Sequence, residues 1–352
     1  LIEHFQGFPV VLHDVFLTRH LITFIYCYSG YLCFFFMCRK IFKNDYLALL
    51  GVLMLFLYPR YFATQFTLVK DMAFTATVMA SMWAAVMFLE KKGTWFWGAV
   101  FVAVSAVTAN TRVIGFMFPC LLIGYLLLRD VFVTHIFAKE IIVWLKRVGV
   151  YLAIGMGFLV CYVAVSPWLW KDPVHEIINT MTLFSHFDRW QNVQPFMGKF
   201  ISWDAIPWYY IPIWMLISLP VWYLLLFACG ATVFGRNLVH PKTLLSSPKR
   251  YLLFAMALFF LPPLLAILRS SVLYGDWRHM YFLLVPFVLI CLFAFRALIN
   301  HTRRTGVKRA LIACVCAGLV FQIAWMIVNH PFEVVFFNRI AAPYGDQIGR
   351  AH

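Results

Sequence analysis

Ten stretches of this sequence, 16–38, 45–58, 71–90, 95–109, 113–128, 148–166, 208–229, 251–268, 280–298 and 310–328, are apolar almost throughout, and charge is pushed to the joints between them. A chain patterned this way has one class of fold open to it. About 20 apolar residues in a helix cross a hydrocarbon core ~30 Å thick, and a helix satisfies its own backbone polar groups. With 63% hydrophobic and 12% charged residues and a mean hydropathy of +0.83, a water-soluble domain could not hide these side chains. The expected fold is all-α, a polytopic transmembrane bundle of about ten helices. The second and fourth stretches are short, and one such pair is a candidate for a tight hairpin.

The joints alternate in charge. One set carries Arg39, Lys40, Lys43, Lys91, Lys92, Arg129, Lys139, Lys146, Arg147, Arg236, Lys242, Lys249, Arg250, Arg296, Arg303, Arg304, Lys308 and Arg309, against the four acids Asp45, Glu90, Asp130 and Glu140. Such a bias places those joints in the cytoplasm. The net charge of +15 is thereby read as a topology signal, with no nucleic-acid partner. The expected membrane is a bacterial inner membrane. The opposite, external face holds ten of the fourteen acids, the long loop 167–207 and the tail 329–352. Residues 1–328 are read as the membrane domain and 329–352 as an external tail. Both ends of the sequence are expected to be cut. The nine cysteines fall in or beside apolar stretches without metal-ligand spacing and read as small core residues.

Within the external loop, Asp172-Pro173 is a helix start, with Asp at the N-cap and Pro at the first position. Val174, Ile177, Ile178, Met181, Phe184 and Phe187 recur at helical spacing, which predicts an amphipathic helix lying in the membrane interface. Trp168, Trp170, Trp190, Trp203, Trp208, Tyr209, Tyr210 and Trp214 surround it. They read either as an interfacial aromatic belt or as a lid over a lipid or sugar site.

Four polar clusters stand at external helix ends: Arg19-His20; Arg60 with Lys70-Asp71; Asn110-Thr111-Arg112; and Tyr274-Gly275-Asp276-Trp277-Arg278-His279. Any one of them could be a snorkelling cation or a structural ion pair. Four on one face point to a site. Arginine binds phosphate through a two-pronged fork and keeps its charge when partly buried, and a carboxylate beside it stays ionised and can take a proton or hold a metal. The set suits an anionic, phospholipid-like substrate.

These residues resemble a known family. Pro59-Arg60-Tyr61-Phe62 followed by Lys70-Asp71 is similar to a pattern of bacterial membrane glycosyltransferases related to glycosyltransferase family 39, in the GT-C superfamily. That group includes the protein O-mannosyltransferases and the aminoarabinose transferases. Phe16-Leu17-Thr18-Arg19-His20-Leu21, Thr111-Arg112-Val113-Ile114-Gly115, Pro167-Trp168-Leu169-Trp170, Pro207-Trp208-Tyr209-Tyr210-Ile211-Pro212 and Phe336-Phe337-Asn338 resemble further landmarks in the same order. Tyr274-Gly275-Asp276-Trp277-Arg278-His279 resembles another, with Gly and Asp exchanged, which puts the role of Asp276 in question.

The resemblance implies a GT-C-like bundle of eleven or more helices in the full-length protein, with the leading catalytic carboxylate upstream of Leu1. It implies transfer of a sugar from a polyprenyl-phosphate donor to an acceptor hydroxyl at the external face, among membrane lipids. Asp71 matches the family's second acidic position, and Asp276 is a second catalytic candidate. Lys70, Arg60, Arg112 and Arg278 are candidate phosphate contacts, with Arg19, His20, His186 and His279 as further substrate contacts. A divalent metal is compatible with these acids, but no ligand set demands one. The rival readings are a lipid or polysaccharide transporter or flippase, expected to carry charge through the bilayer and internal symmetry, and a non-catalytic membrane subunit. The sugar and the acceptor (protein, lipid or glycan) are left open.

Overall fold

The computed structural model describes residues 12–91, 94–135, 140–185, 192–245, 248–269, 271–273, 275–338 and 340. The helices run in chain order as α1 (Leu12–Phe42), α2 (Asp45–Phe56), α3 (Pro59–Thr67), α4 (Val69–Glu90), α5 (Trp95–Thr111), α6 (Met117–Phe132), α7 (Ile141–Ala164), α8 (Pro173–Ser185), α9 (Tyr210–Ser218), α10 (Val221–Leu238), α11 (Lys249–Leu268), α12 (Leu284–His301) and α13 (Thr305–Asn329). A single helical turn at Pro241–Leu244 precedes α11, and 3-10 turns at Val113–Phe116 and Arg278–Leu283 lead into α6 and α12. Among the described residues, eight helical segments are long and apolar enough to cross a membrane, or nine if the bent pair α2–α3 is one span. The all-α bundle expected from the sequence is what forms.

Two expected stretches differ from the observed elements. The stretch 45–58 does not end at the joint: it turns by 69° into α3. Pro59 is the cause, since it has no N–H to continue the α2 ladder. The Tyr58 amide reaches only Leu55 O, at 3.4 Å, so Met54 O loses its usual partner. The Tyr223 hydroxyl of α10 donates to it instead, at 2.6 Å. The stretch 208–229 is likewise two helices, α9 and α10, parted at Leu219-Pro220. The fourth stretch is the helix α5 of 17 residues.

α4 and α12 form the centre of the bundle, each with 78% of its apolar window buried. Every residue of α12 from Leu284 to Phe295 is buried. α10 approaches α12 so closely that a Cβ on Gly230 would lie 2.5 Å from Ile290 Cγ2 and 2.8 Å from its carbonyl oxygen. Small residues allow such contact between apolar helices, where packing rather than water drives association. Gly230→Val is expected to cost about 1–3 kcal/mol through overpacking, seen as a lower thermal midpoint in detergent.

The two ends of the bundle are held differently. At the end rich in basic residues, Arg250 Nη2 and the Tyr251 hydroxyl both donate to Glu90 Oε1, at 2.6 and 2.5 Å. Nearby, the buried Asp130 accepts from Tyr151 at 2.5 Å and pairs with Arg129 at 3.1 Å. These acids are neutralised locally by structural partners. The opposite end carries the long loop. There the expected helix forms as α8, and Asp172 Oδ1 caps it by accepting from the His175 amide at 3.2 Å. Ile177 packs toward the core while Val174 and Ile178 stay exposed.

After α8 comes a hairpin that the helical pattern did not anticipate. β1 (Val193–Phe196) pairs antiparallel with β2 (Lys199–Ser202), Phe196 facing Lys199. Met197 and Gly198 turn it with φ of 52° and 74°, the two-residue hairpin turn whose twist matches its strands.

Candidate functional site

Helix ends gather opposite the basic end: α3 and the start of α4, the end of α5, the α9–α10 break, and the segment running from residue 275 into α12. The chain from 330 to 338 folds back across them.

Arg60 lies on the first turn of α3, and its side chain is only 4% exposed. Its Nη1 meets Asp276 Oδ2 at 2.9 Å, and its Nε donates to Phe336 O at 2.8 Å. The guanidinium sits 4.6 Å from the Phe337 ring centroid and 5.5 Å from that of Trp214. A buried charge is tolerable when paired and hydrogen-bonded in this way.

Local backbone geometry aims Asp276 at Arg60. Gly275 and Asp276 both have positive φ, 64° and 59°. Glycine adopts that region freely, and aspartate tolerates it better than most residues because its side chain bonds nearby backbone. Asp276 Oδ1 accepts from the Arg278 amide at 2.6 Å, and Oδ2 from the Tyr281 hydroxyl at 3.4 Å. A Cβ on Gly275 would press on the Arg278 side chain, 3.0 Å from Nε. The Gly-Asp order is therefore self-consistent here. Burial pushes the Asp276 carboxyl above its ordinary value, and the charges of Arg60 and Arg278 pull against that.

A more open set adjoins this clamp. Arg112 occupies the extended residue between α5 and the following 3-10 turn. Its Nη2 pairs with Asp71 Oδ1, and its Nη1 lies 3.3 Å from His279 Nδ1. The charges of Arg112, Arg278 and Lys70 all act on His279. Lys70 is exposed, while Asp71 is 11% exposed. With Arg60 and Asp276 included, four cations face two carboxylates, so the neighbourhood attracts anions. A fixed guanidinium fork beside a mobile ammonium suits phosphate oxygens. Among the described residues, no group of three His, Cys, Asp or Glu side chains converges to hold a metal.

Three of the four sequence clusters thus meet. Arg19 and His20 do not join them: both are exposed on α1, and among the described residues no hydrogen bond or ion pair links them to the set. His186 lies outside the described residues, as do Phe187, Trp190 and Tyr274.

Several supporting groups were not singled out as site residues. Gln194 of the hairpin is buried, donates to Leu273 O at 2.6 Å and accepts from the Tyr210 hydroxyl at 3.0 Å, which pins the hairpin to residue 273, three positions before Asp276. Asn338 donates to Leu216 O and Leu219 O at 2.6 and 2.8 Å, and its amide donates to Ile217 O at 2.9 Å. It thereby satisfies carbonyls stranded where Pro220 interrupts the helix. The Met197-Gly198 pair, flanked by short β-compatible runs, was the one signal in the sequence for the hairpin. Nothing local signalled the partners of Arg60.

No protein-family model and no curated protein matches the sequence. A solved structure does match: ArnT from Cupriavidus metallidurans, in a crystal structure bound to undecaprenyl phosphate, superposes with a TM-score of 0.51 at 17% identity, over 85% of this chain and 49% of ArnT. The chain thus spans about half the length of that protein, and what the two share is the polytopic helical fold.

Proposed function

We propose that this chain is the membrane bundle of a GT-C-type transferase that takes a sugar from a polyprenyl-phosphate donor. The observation that carries the reading is the grouping of Lys70, Asp71, Arg112, Arg278 and His279 at one end of an apolar bundle. The likeness to ArnT, a fold seen with a polyprenyl phosphate bound, supports it. The alternation of basic joints supports an external, periplasmic position for this end, in a bacterial inner membrane.

The chemistry follows from the charges. When the sugar leaves its carrier, negative charge develops on the lipid phosphate, and preorganised cations lower that barrier most where water is scarce. In this reading Arg112 and Arg278 hold the phosphate and Lys70 closes over it. Asp71 keeps the Arg112 fork in place and stands as the acid nearest the phosphate, able to orient or deprotonate an acceptor hydroxyl. Arg60 and Asp276 position the segment bearing Arg278 and His279, and the donor does not touch them.

The test is transfer from a polyprenyl-phosphate sugar by Lys70→Ala and Asp71→Asn variants. Each is expected to lose about tenfold to a hundredfold, the worth of one charge-assisted contact. Full activity in both would remove the assignment.

A further inference from the structure

At the basic end, far from the cluster above, α2, the ends of α1 and α12 and the stretch Ile312 to Leu319 of α13 line a cavity of about 760 Å³. We propose that it is a binding site for one phospholipid with an anionic headgroup, taken from the leaflet at the basic end of the bundle. The inference does not depend on what the opposite end transfers.

Three features argue for that occupant. First, the cavity changes character along its length. Lys43, Asn44, Arg296 and Asn300 line it beside the joints, while Leu50, Leu53 and Leu319 line it further in. From Asn44 to Leu53 a helix rises about 14 Å, close to half of a ~30 Å hydrocarbon core, which is the reach of an acyl chain in one leaflet. Second, one flank opens outward: Leu49 and Ile312 both line the cavity and are each 49% exposed, so a chain can enter sideways from the bilayer.

Third, the mouth is cationic. Among the described residues no acid lines it, and the adjacent Asp45 is held by Arg39 at 2.8 Å. Arg296 is fixed there, donating to Phe42 O at 3.1 Å with its guanidinium 5.7 Å from the Phe42 ring centroid. Basic pockets between transmembrane helices suit anionic headgroups. A second copy of this chain would bring two cationic mouths together, and a neutral lipid would leave them uncompensated.

The experiment uses the purified chain in nanodiscs of equal phosphatidylglycerol and phosphatidylcholine, with retained lipids weighed by native mass spectrometry. Phosphatidylglycerol is expected to be enriched about thirtyfold among retained lipids, on the scale of two cations near a membrane surface. The double variant Lys43→Gln, Arg296→Gln should return the ratio to that of the disc; glutamine at 296 can still donate to Phe42 O. Leu49→Trp, which fills the apolar limb without touching the cations, should lower retention of both lipids, with an unchanged elution volume as the folding control. Equal retention of the two lipids overturns the proposal. So does enrichment that survives the double variant, retention indifferent to Leu49→Trp, or a dimer mass without lipid.

Discussion

Arg60→Ala is expected to destabilise the bundle by about 3–5 kcal/mol, the usual result of removing one partner from a buried ion pair. The side chain removed is 4% exposed and its partner Asp276 is 17% exposed, so water cannot replace the guanidinium. Phe336 O also loses its donor, and the Trp214 and Phe337 rings lose the cation packed against them. Arg60→Lys should recover little, because an ammonium cannot serve Asp276 and Phe336 O with one planar group. Adding Asp276→Asn to Arg60→Ala should restore a good part of the loss, since it removes the stranded charge. The pH dependence carries a definite sign. The folded carboxyl of Asp276 lies above its ordinary value, so the folded state holds that proton more tightly than the unfolded chain does. Below the unfolded value of about 4 both states are protonated and the penalty vanishes. It grows as pH rises toward the folded value and is constant beyond it. Without Arg60, whose charge pulls that carboxyl down, the penalty is larger, so the deficit of Arg60→Ala should narrow on acidification, measured as thermal midpoints across pH 4–8.

Arg112→Ala is the second large effect. Transfer is expected to fall by about a hundredfold to a thousandfold, comparable to removing one preorganised donor from a site where charge develops, and it should exceed the loss from Lys70→Ala. The reason is geometric. Lys70 is exposed and ends in one freely placed charge, whereas the Arg112 guanidinium touches Asp71 and His279 together. Its removal strips the phosphate of a fork and releases Asp71 from its partner. Arg112→Lys should remain well below the parent for the same reason. The loss should appear mainly in kcat, because the phosphate gains charge as the sugar leaves; a variant raised only in KM would make Arg112 a ground-state anchor.

Apolar stretches and charged joints carried most of the architecture in the sequence, since a helix that spans hydrocarbon must be apolar along its length. What they could not carry was the fate of the helix ends. Pro220 interrupts a run that hydropathy alone reads as continuous, and Pro59 ends one that in fact bends onward into α3; whether a proline kinks or parts a helix depends on which neighbour takes the orphaned carbonyls. Here Tyr223 and Asn338 do so, from distant segments. The cations of the site were legible because charge is rare in such a chain. Their sorting was not: Arg60 and Arg112 look alike as lone arginines, yet one is sealed under aromatic rings and the other remains partly open. That difference arises from Asp276 and from Phe336 and Phe337, hundreds of residues away, where periodicity carries no information.

The clamp around Arg60 also bears on how the molecule is made. Arg60 meets Asp276 across 216 residues of sequence and Phe336 across 276. Pairings so far apart are late events for any chain, and a membrane protein enters the bilayer beginning with its N-terminal helices. α3 must therefore be delivered with a guanidinium whose acid and whose carbonyl have not yet been synthesised. The bundle is assembled around an open end, and that end closes only when α13 is in place and the segment behind it, 330–338, has come back to lie on α3.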